Sequence, residues 1–367
     1  MDNTKKYFKK LDTLFSKNEG EFLKLIPTCK QFNKEQIKII YEAFYKASEL
    51  HEGQKRKNGK PYITHPIGVA SILANFGLDY ETVTAGLLHD TIEDTSYTLA
   101  DCEQDFGCAI TKIVDGVTKI GNDVNVETHE KILEASKEEP RIIAVKAAGD
   151  RLHNMYTLDA LNSSKQIEIA TETKEFYVPI AKILGMYLLK DELQDLCLYY
   201  LDRNSFINLY ELRKELKLKY NKTLDELGSK TQELLSKQGI PMSYNYRVKN
   251  VGGIYEEQKK PSDISDLLAI KMVLFDKYDC YSTLGQIHGI SQPIKGSFQD
   301  FIATPKNNGY RSLNTNVMYK DANIQVRMRT NDMQKTNDLG IFSDLNQDAK
   351  DRLSDDMRKN LSNLSKK

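Results

Sequence analysis

Apolar side chains return every three to four residues through KEQIKIIYEAFYKASELH, IGVASILANF, ETVTAGLLHDTIED and EIATETKEFYVPIAKILGMYLLKDELQDLCLYYL. That period belongs to amphipathic helices packed through one face, so the spacing predicts an all-α region from residue 34 to about 200. The next stretch, DRNSFINLYELRKELKLKYNKTLDELGSKTQELLSKQ, is charged with sparse apolar positions and predicts connecting helices. From about residue 241 the texture changes. DLLAIKMVLF is an apolar run of strand length, and LNTNVMYKDANIQVRMRT predicts two strands joined at Asp321-Ala322-Asn323. In the second of these, Ile324, Val326 and Met328 alternate with Gln325, Arg327 and Arg329, which gives one face to a core and the other to polar groups. The expected layout is therefore multidomain, α then α/β: residues 1–195 all-α, 196–240 connecting helices, 241–345 a smaller α/β domain, and 346–367 a charged tail.

Composition changes this picture little. A chain of 367 residues with 40% apolar and 28% charged residues is ordinary for a globular protein of two domains. Lysine and arginine number 52 and so do the acids, so no global field draws the chain to DNA or to an anionic membrane, and any phosphate binding must be local. Cys29, Cys102, Cys108, Cys197 and Cys280 are odd in number and never spaced C-x-x-C, which argues against a disulfide framework and fits a reducing cytoplasm. No run approaches the roughly 18 apolar residues of a membrane span, and the lysine-broken start MDNTKKYFKKLDTLF lacks the order of a signal peptide.

Chemistry concentrates in GLLHDTIEDT, which sets His89, Asp90, Glu93 and Asp94 within six positions of an otherwise apolar helix. Buried charge is unfavourable unless paired or metal-bound, so the stretch is either a solvated helix end or a site. His65 in YITHPIGVA precedes Pro66, which holds it extended at a helix entry, and Asp150 in KAAGDRLHNM shares a helical face with Asn154. Two imidazoles and two carboxylates form a donor set of intermediate hardness, suited to Mn, Fe, Co or Zn rather than calcium. His51, His129 and His153 could be ligands as easily; His51 and His129 read as surface or capping residues and His153 as a supporting partner.

HEGQKRKNGKPYITHP, LLHDTIEDT, FGCAITKIVDGVTKIG and AGDRLHNMYTL, in this order, closely resemble the N-terminal hydrolase domain of the RelA/SpoT homologue family, whose long members make and degrade the alarmones ppGpp and pppGpp. The resemblance implies an HD-type phosphohydrolase domain in which His65, His89, Asp90 and Asp150 bind one Mn2+. It places Glu93 and Asp94 as the acidic pair that assists an attacking water, Asn154 beside the metal and nucleotide, and Arg56, Lys57 and Thr157 at nucleotide-contacting positions. Glu93, four residues after His89, is a suitable proton acceptor. Two departures bear on substrate contacts: Tyr156 stands where many relatives carry a basic residue, and the segment between Gly121 and Arg141 is several residues short.

The second half resembles the family's pyrophosphokinase domain, a mixed-sheet nucleotidyltransferase-like fold, through YRVKNVGGIYE, DISDLLAIKM, GSFQDFIATPKNNGYRSLNTNV and IQVRMRT. By that resemblance Asp266 is the magnesium-binding aspartate, Arg247 and Lys249 contact ATP, and Lys306, Asn308 and Tyr310 form the guanine-nucleotide loop, with the tyrosine ring stacked on the base. Other positions are wrong for synthesis. The glutamate before V-x-I-R-T is Gln325, the basic residue of the ATP segment is Glu257, two further basic positions are Ser297 and Gln299, and the histidine of S-L-H-T is Asn314. A lysine about 4 Å from phosphate gains roughly 4 kcal/mol at an effective dielectric of about 20, and a glutamate loses as much.

The function expected is Mn2+-dependent hydrolysis of the 3'-pyrophosphate of ppGpp or pppGpp, with an impaired synthetase half at which Mg2+, ATP and GDP or GTP are the candidate ligands. The alternatives are a bifunctional enzyme, a non-catalytic guanine-nucleotide-binding regulator, and an HD phosphohydrolase of another nucleotide. Ribosome association is not expected without the C-terminal modules that relatives carry.

Overall fold

The computed structural model describes residues 25–118, 125–343 and 353–364. The N-terminal stretch, the Gly121 end of the shortened segment, and residues 346–352 and 365–367 of the charged tail lie outside the described residues. Two compact units divide between Asn162 and Ser163, and the second also takes in Leu353–Leu364. Among the described residues no helix is long and apolar enough to cross a membrane.

The first unit is helical: α1 (Lys34–Leu50), α2 (Thr64–Asn75), α3 (Tyr80–Leu88), α4 (Thr91–Asp94), α5 (Leu99–Phe106), α6 (Cys108–Val117), α7 (Asn125–Glu138) and α8 (141–156). Asn33 opens α1 with a capping box shared with Gln36, and Asp79 caps α3. Leu73, Leu87, Leu88, Ile113, Leu133 and Ile142 are fully buried at the centre. The turns Ala144–Arg151 of α8 are π-helical and pack on α2 and α3. Gly149 permits that approach, since a Cβ there would stand 2.7 Å from a methyl of Val69.

The predicted helix through GLLHDTIED is broken in the structure. Two carbonyls at the end of α3 are satisfied by side chains: the Thr91 hydroxyl donates to Leu88 O (2.6 Å) and His89 Nδ1 to Gly86 O (2.9 Å). The chain then turns through Asp90 into the single turn α4. His89 and Asp90 are therefore neighbours on a corner rather than on one rod.

The second unit begins with α9 (163–183, π-helical over Thr173–Tyr177) and α10 (Tyr187–Leu201). These helices were expected in the first domain up to residue 195. They pack here because Asp195 on α10 accepts bonds from the Gly252 N–H (2.7 Å) and the Asn250 amide (3.0 Å). The expected connecting helices are one 34-residue helix, α11 (Arg203–Ser236), whose Leu224, Leu227 and Leu235 join the core under the sheet. Gly228 of α11 lies against the Tyr244 ring, where a Cβ would be 2.3 Å away.

The sheet comprises β1 (Met242–Val248), β2 (Leu268–Leu274), β3 (Gln292–Pro293), β4 (Gln299–Asp300), β5 (Leu313–Tyr319) and β6 (Ala322–Thr330), in the order β1-β2-β6-β5-β3 with β4 also on β5. It is mixed, because β2 and β6 run parallel while β1/β2 and β5/β6 are antiparallel. Helices α12 (Val251–Glu257), α13 (Lys277–Ile290), α14 (Asn331–Leu339) and α15 (Asp355–Leu364) complete the unit. The β5–β6 connection is tighter than expected: Tyr319 pairs with Ala322, so the turn is Lys320-Asp321, with Lys320 at φ 53°. The β6 alternation is as read. Ile324, Val326 and Met328 are fully buried in the core, and the opposite face carries Gln325, Arg327 and Arg329.

Candidate metal centre and a basic cleft

In the first unit, three elements bring the sequence-selected ligands together. His65 enters on the first turn of α2, His89 and Asp90 sit on the α3–α4 corner, and Asp150 projects from the π-turns of α8. Donor atoms of His65, His89 and Asp150 all lie within 4.8 Å of one another, and these three side chains are buried. Asp90 borders both rings: its Oδ1 is 3.1 Å from His89 Nε2 and its Oδ2 3.6 Å from His65 Nε2. His65 Nε2 is also 3.4 Å from Asp150 Oδ1.

The surrounding bonds fix which atoms face inward. Because His89 Nδ1 donates to the Gly86 carbonyl, its Nε2 is the atom turned toward the carboxylates, 3.1 Å from Asp90 Oδ1 yet buried without a well-formed hydrogen bond. On His65, Nδ1 is 2.8 Å from His153 Nδ1, which leaves Nε2 toward the carboxylates. An orphaned buried nitrogen beside two carboxylates is what a divalent cation of intermediate hardness would satisfy, so the residues present fit a metal.

The electrostatics agree in sign. Burial is the largest influence on each of the four groups. It holds His65 below its ordinary range, with the Asp150 hydrogen bond opposing. For His89 the Asp90 carboxylate outweighs burial and raises the imidazole above its usual value. Asp90 lies below the usual carboxylate range because the His89 charge overcomes desolvation, and Asp150 is well below it through Lys146. The pocket favours positive charge between its carboxylates.

Three neighbours of the site escaped sequence reasoning, Tyr62, Lys146 and Gly68, while His153 is the supporting partner expected. Tyr62 donates its hydroxyl to Asp90 Oδ2 (2.7 Å) and reaches Asp94 Oδ2 (3.1 Å), while its ring stacks on His51 with centroids 4.5 Å apart. His51 does end α1, as read, but it is buried rather than at the surface. Lys146 pairs with Asp150 Oδ2 at 2.6 Å, an i,i+4 contact that helical spacing could have flagged. His153 is pushed down to about 3 by burial and by the His65 charge, so it stays neutral and can accept from His65. Gly68, one turn after His65, makes room for that ring, since a Cβ there would stand 2.2 Å from the imidazole.

Of the remaining predicted residues, Asn154 donates to Asp150 Oδ1 and accepts from Arg56 Nη2 (2.9 Å), which draws Arg56 to the site. Asp94 is joined through Tyr62, and Glu93 lies half-buried on the same turn. Thr157 ends α8 with its hydroxyl on the His153 carbonyl (3.1 Å), while Lys57 is exposed on the preceding loop.

The second unit holds a cavity of about 380 Å3 over the polar face of its sheet. Register builds it: Arg247 pairs across to Ala269, Ala269 to Gln325, and Lys271 to Arg327, so one face of β1, β2 and β6 is basic. Asp266 is ringed by cations, with Lys249 Nζ at 2.6 Å, Arg327 Nη2 at 3.4 Å and Arg247 Nη2 at 3.9 Å. Burial works to raise its pKa, but Lys249 holds it below the ordinary range. Gln325 accepts from Arg327 Nε (2.6 Å), and Glu257 takes Lys249 (2.7 Å) and Lys259 (3.0 Å). The Tyr310 ring, expected to stack on a base, is nearly buried: Tyr187 and Phe301 meet it edge-on, and Lys306 and Arg329 sit over it at 5.0 and 5.4 Å. Asn308 donates to the Tyr187 hydroxyl (2.9 Å) instead of facing open space.

Comparison with known proteins finds two families in succession, the first running past Asn162 into the second unit. Residues 43–187 match the HD domain family, and residues 246–351 match the family described as a region found in RelA / SpoT proteins. The bifunctional (p)ppGpp synthase/hydrolase SpoT of Escherichia coli K12 is 38% identical over 321 residues, covering 84% of this chain and 45% of that protein. A GTP pyrophosphokinase of Streptomyces coelicolor is 38% identical over 315 residues, covering 83% and 37% respectively. Among solved structures, a metazoan SpoT orthologue described as hydrolysing ppGpp is 22% identical, covers 45% of this chain and 92% of its own, and has a TM-score of 0.33. The chain thus spans under half the length of these curated relatives. With an HD domain followed by a RelA/SpoT region, the chain belongs to the RelA/SpoT homologue family.

Proposed function

We propose that the first unit hydrolyses ppGpp and pppGpp at the 3'-pyrophosphate, releasing GDP or GTP and pyrophosphate, with Mn2+ held by His65, His89, Asp90 and Asp150. The observation that carries the reading is the convergence of buried donors on one point, with His89 Nε2 left unsatisfied there. A divalent ion bound by these residues would lower the pKa of a water toward neutrality and neutralise charge on the leaving pyrophosphate. The chain's own groups do the rest. Glu93 and Asp94, on the turn after the ligands, accept the proton of the attacking water, and Tyr62 holds Asp94 and Asp90 in a fixed relation through one hydroxyl. Arg56 and Asn154, already bonded to each other, orient the nucleotide's phosphates, with Lys57 and Thr157 on the flanking loop and helix end.

The state of the second cleft supports assigning hydrolysis rather than synthesis. Gln325 carries no charge, Glu257 neutralises Lys249, and Asp266 is paired with cations, so the groups needed for pyrophosphate transfer from ATP are compromised together. The second unit is read as regulatory or structural. The test is incubation of the purified chain with ppGpp and Mn2+, with and without Asp90→Ala. Metal-dependent GDP release that the substitution abolishes is expected; GDP release unaffected by metal, or none at all, overturns the reading.

A further inference from the structure

Family resemblance places a divalent ion at Asp266, and the residues around it do not fit one. A divalent ion at a phosphate site needs carboxylate oxygens free to coordinate it. Both oxygens of Asp266 already meet cations, Lys249 on one side and Arg327 and Arg247 on the other. The neighbouring strand offers Gln325, whose oxygen is taken by Arg327. The guanidinium of Arg327 thus lies between the two side chains that would have to hold the ion.

The same face has too much positive charge for its acids. Seven basic and three acidic side chains line the cavity, four positive charges in excess. The sharpest case is Arg329, only 4% exposed. Its Nη2 meets the Tyr310 hydroxyl (3.1 Å), its Nε is buried with no hydrogen-bond partner, and among the described residues no carboxylate lies within ion-pair distance. A buried guanidinium whose nearest acid, Asp338, acts only from beyond ion-pair distance is unfavourable unless a ligand supplies closer negative charge. Burial also depresses the neighbouring Arg247 and Lys271.

We propose that this cleft is a receptor for a polyphosphate anion, free or carried on a nucleotide, that binds without a divalent ion, with Arg327 standing in the ion's place beside Asp266. The inference extends the reading of the second unit as non-catalytic. Arg247, Lys271 and Arg329 supply charge along the chain of phosphates, as fixed guanidinium and ammonium groups do elsewhere. The crowded Tyr310 ring makes the phosphates, rather than the base, the recognised part.

The test is calorimetric titration of the full chain with GTP, and separately with inorganic tripolyphosphate, in EDTA and in excess Mg2+. Binding in EDTA at least as tight as in Mg2+ is expected. Arg247→Ala, at a partly exposed position, and Arg327→Gln should each weaken it about tenfold or more, while Lys38→Ala on an exposed face of α1 should change it less than twofold. Binding of both probes identifies polyphosphate as sufficient, and binding of GTP alone identifies the nucleotide as the source; either upholds the receptor. Binding that requires Mg2+, no binding in EDTA, or binding indifferent to both arginine substitutions overturns it. Synthesis of ppGpp from ATP and GDP by the same preparation would instead overturn the non-catalytic reading, so the two failures are separable.

Discussion

The two units each gather charged side chains, yet the sites they make are opposite in sign. In the first, two imidazoles and two carboxylates converge with Lys146 as the paired cation, and a buried imidazole nitrogen is left facing the acids. In the second, one carboxylate is surrounded by three cations and a buried guanidinium is left without an acid in ion-pair distance. Burial makes both arrangements unfavourable in isolation, because an uncompensated charge in a poorly solvated place must find a partner. The first asks for a cation and the second for an anion. Single residues set this difference: Gln325 offers no second acid beside Asp266, and Arg327 lies between the two side chains instead.

Removing a proposed metal ligand should break the comparison most sharply. His89→Ala deletes the unsatisfied nitrogen, and hydrolysis of ppGpp should fall by about 1,000-fold or more, with bound metal lost by elemental analysis. Polyphosphate binding by the second unit should be unchanged in the same variant. A smaller effect is expected from Tyr62→Phe, which keeps the ring on His51 but removes the hydroxyl from Asp90 and Asp94. Groups that orient a metal ligand from behind typically change affinity or activity by about 10–100-fold. Metal titration should therefore shift by that factor while the melting temperature moves little; an unchanged titration would leave Tyr62 with no positioning role. Smaller again is Gly68→Ala, whose new methyl must push the His153 ring aside. A destabilisation of about 1–3 kcal/mol is expected from such overpacking, read by urea unfolding.

These residues also mark how far the sequence could be read. Helical periodicity found α1, α2 and α3, and strand alternation found β6 with its core and polar faces, because burial on one side imposes a period that survives in the residues themselves. The ligand set came from family resemblance more than from spacing, since His65, His89 and Asp150 lie on separate elements and only the fold brings them within 4.8 Å. The corner at His89-Asp90 was illegible. It depends on two side-chain bonds to carbonyls at the end of α3, which no apolar period records. Tyr62 was missed for a similar reason, as its partners Asp90 and Asp94 are distant in sequence. The membership of residues 163–195 in the second unit rests on Asp195 bonding across to Gly252, again a long-range contact. The cationic crowding of Asp266 needed the β2–β6 register, which sets Lys271 beside Arg327 and brings Gln325 level with Ala269.

The smallest expected effect asks whether carboxylates also stabilise the first unit away from its site. Glu139 accepts from Arg141 through both oxygens, at 2.8 and 2.9 Å, and Arg141 also reaches Glu81 and lies 3.6 Å from Asp79. Burial, the largest influence, would raise the Glu139 pKa, but the hydrogen bonds and charge of Arg141 outweigh it and hold the group below its ordinary value. A carboxyl with a depressed pKa in the folded state releases its proton more readily there than in the unfolded chain. The pair's contribution is then fully present above the unfolded pKa, about 4.3 for glutamate, and is lost as pH falls through the lower folded value. Glu139→Gln keeps the shape and removes the charge, so at pH 7 it should destabilise by about 1–2 kcal/mol, the scale of a hydrogen bond to a charged group. Below the folded pKa the native side chain is itself neutral and the difference between the two proteins should close. Urea midpoints measured for both across this acid range decide it: a difference that stays constant with pH would mean that packing, not charge, is what the substitution removes.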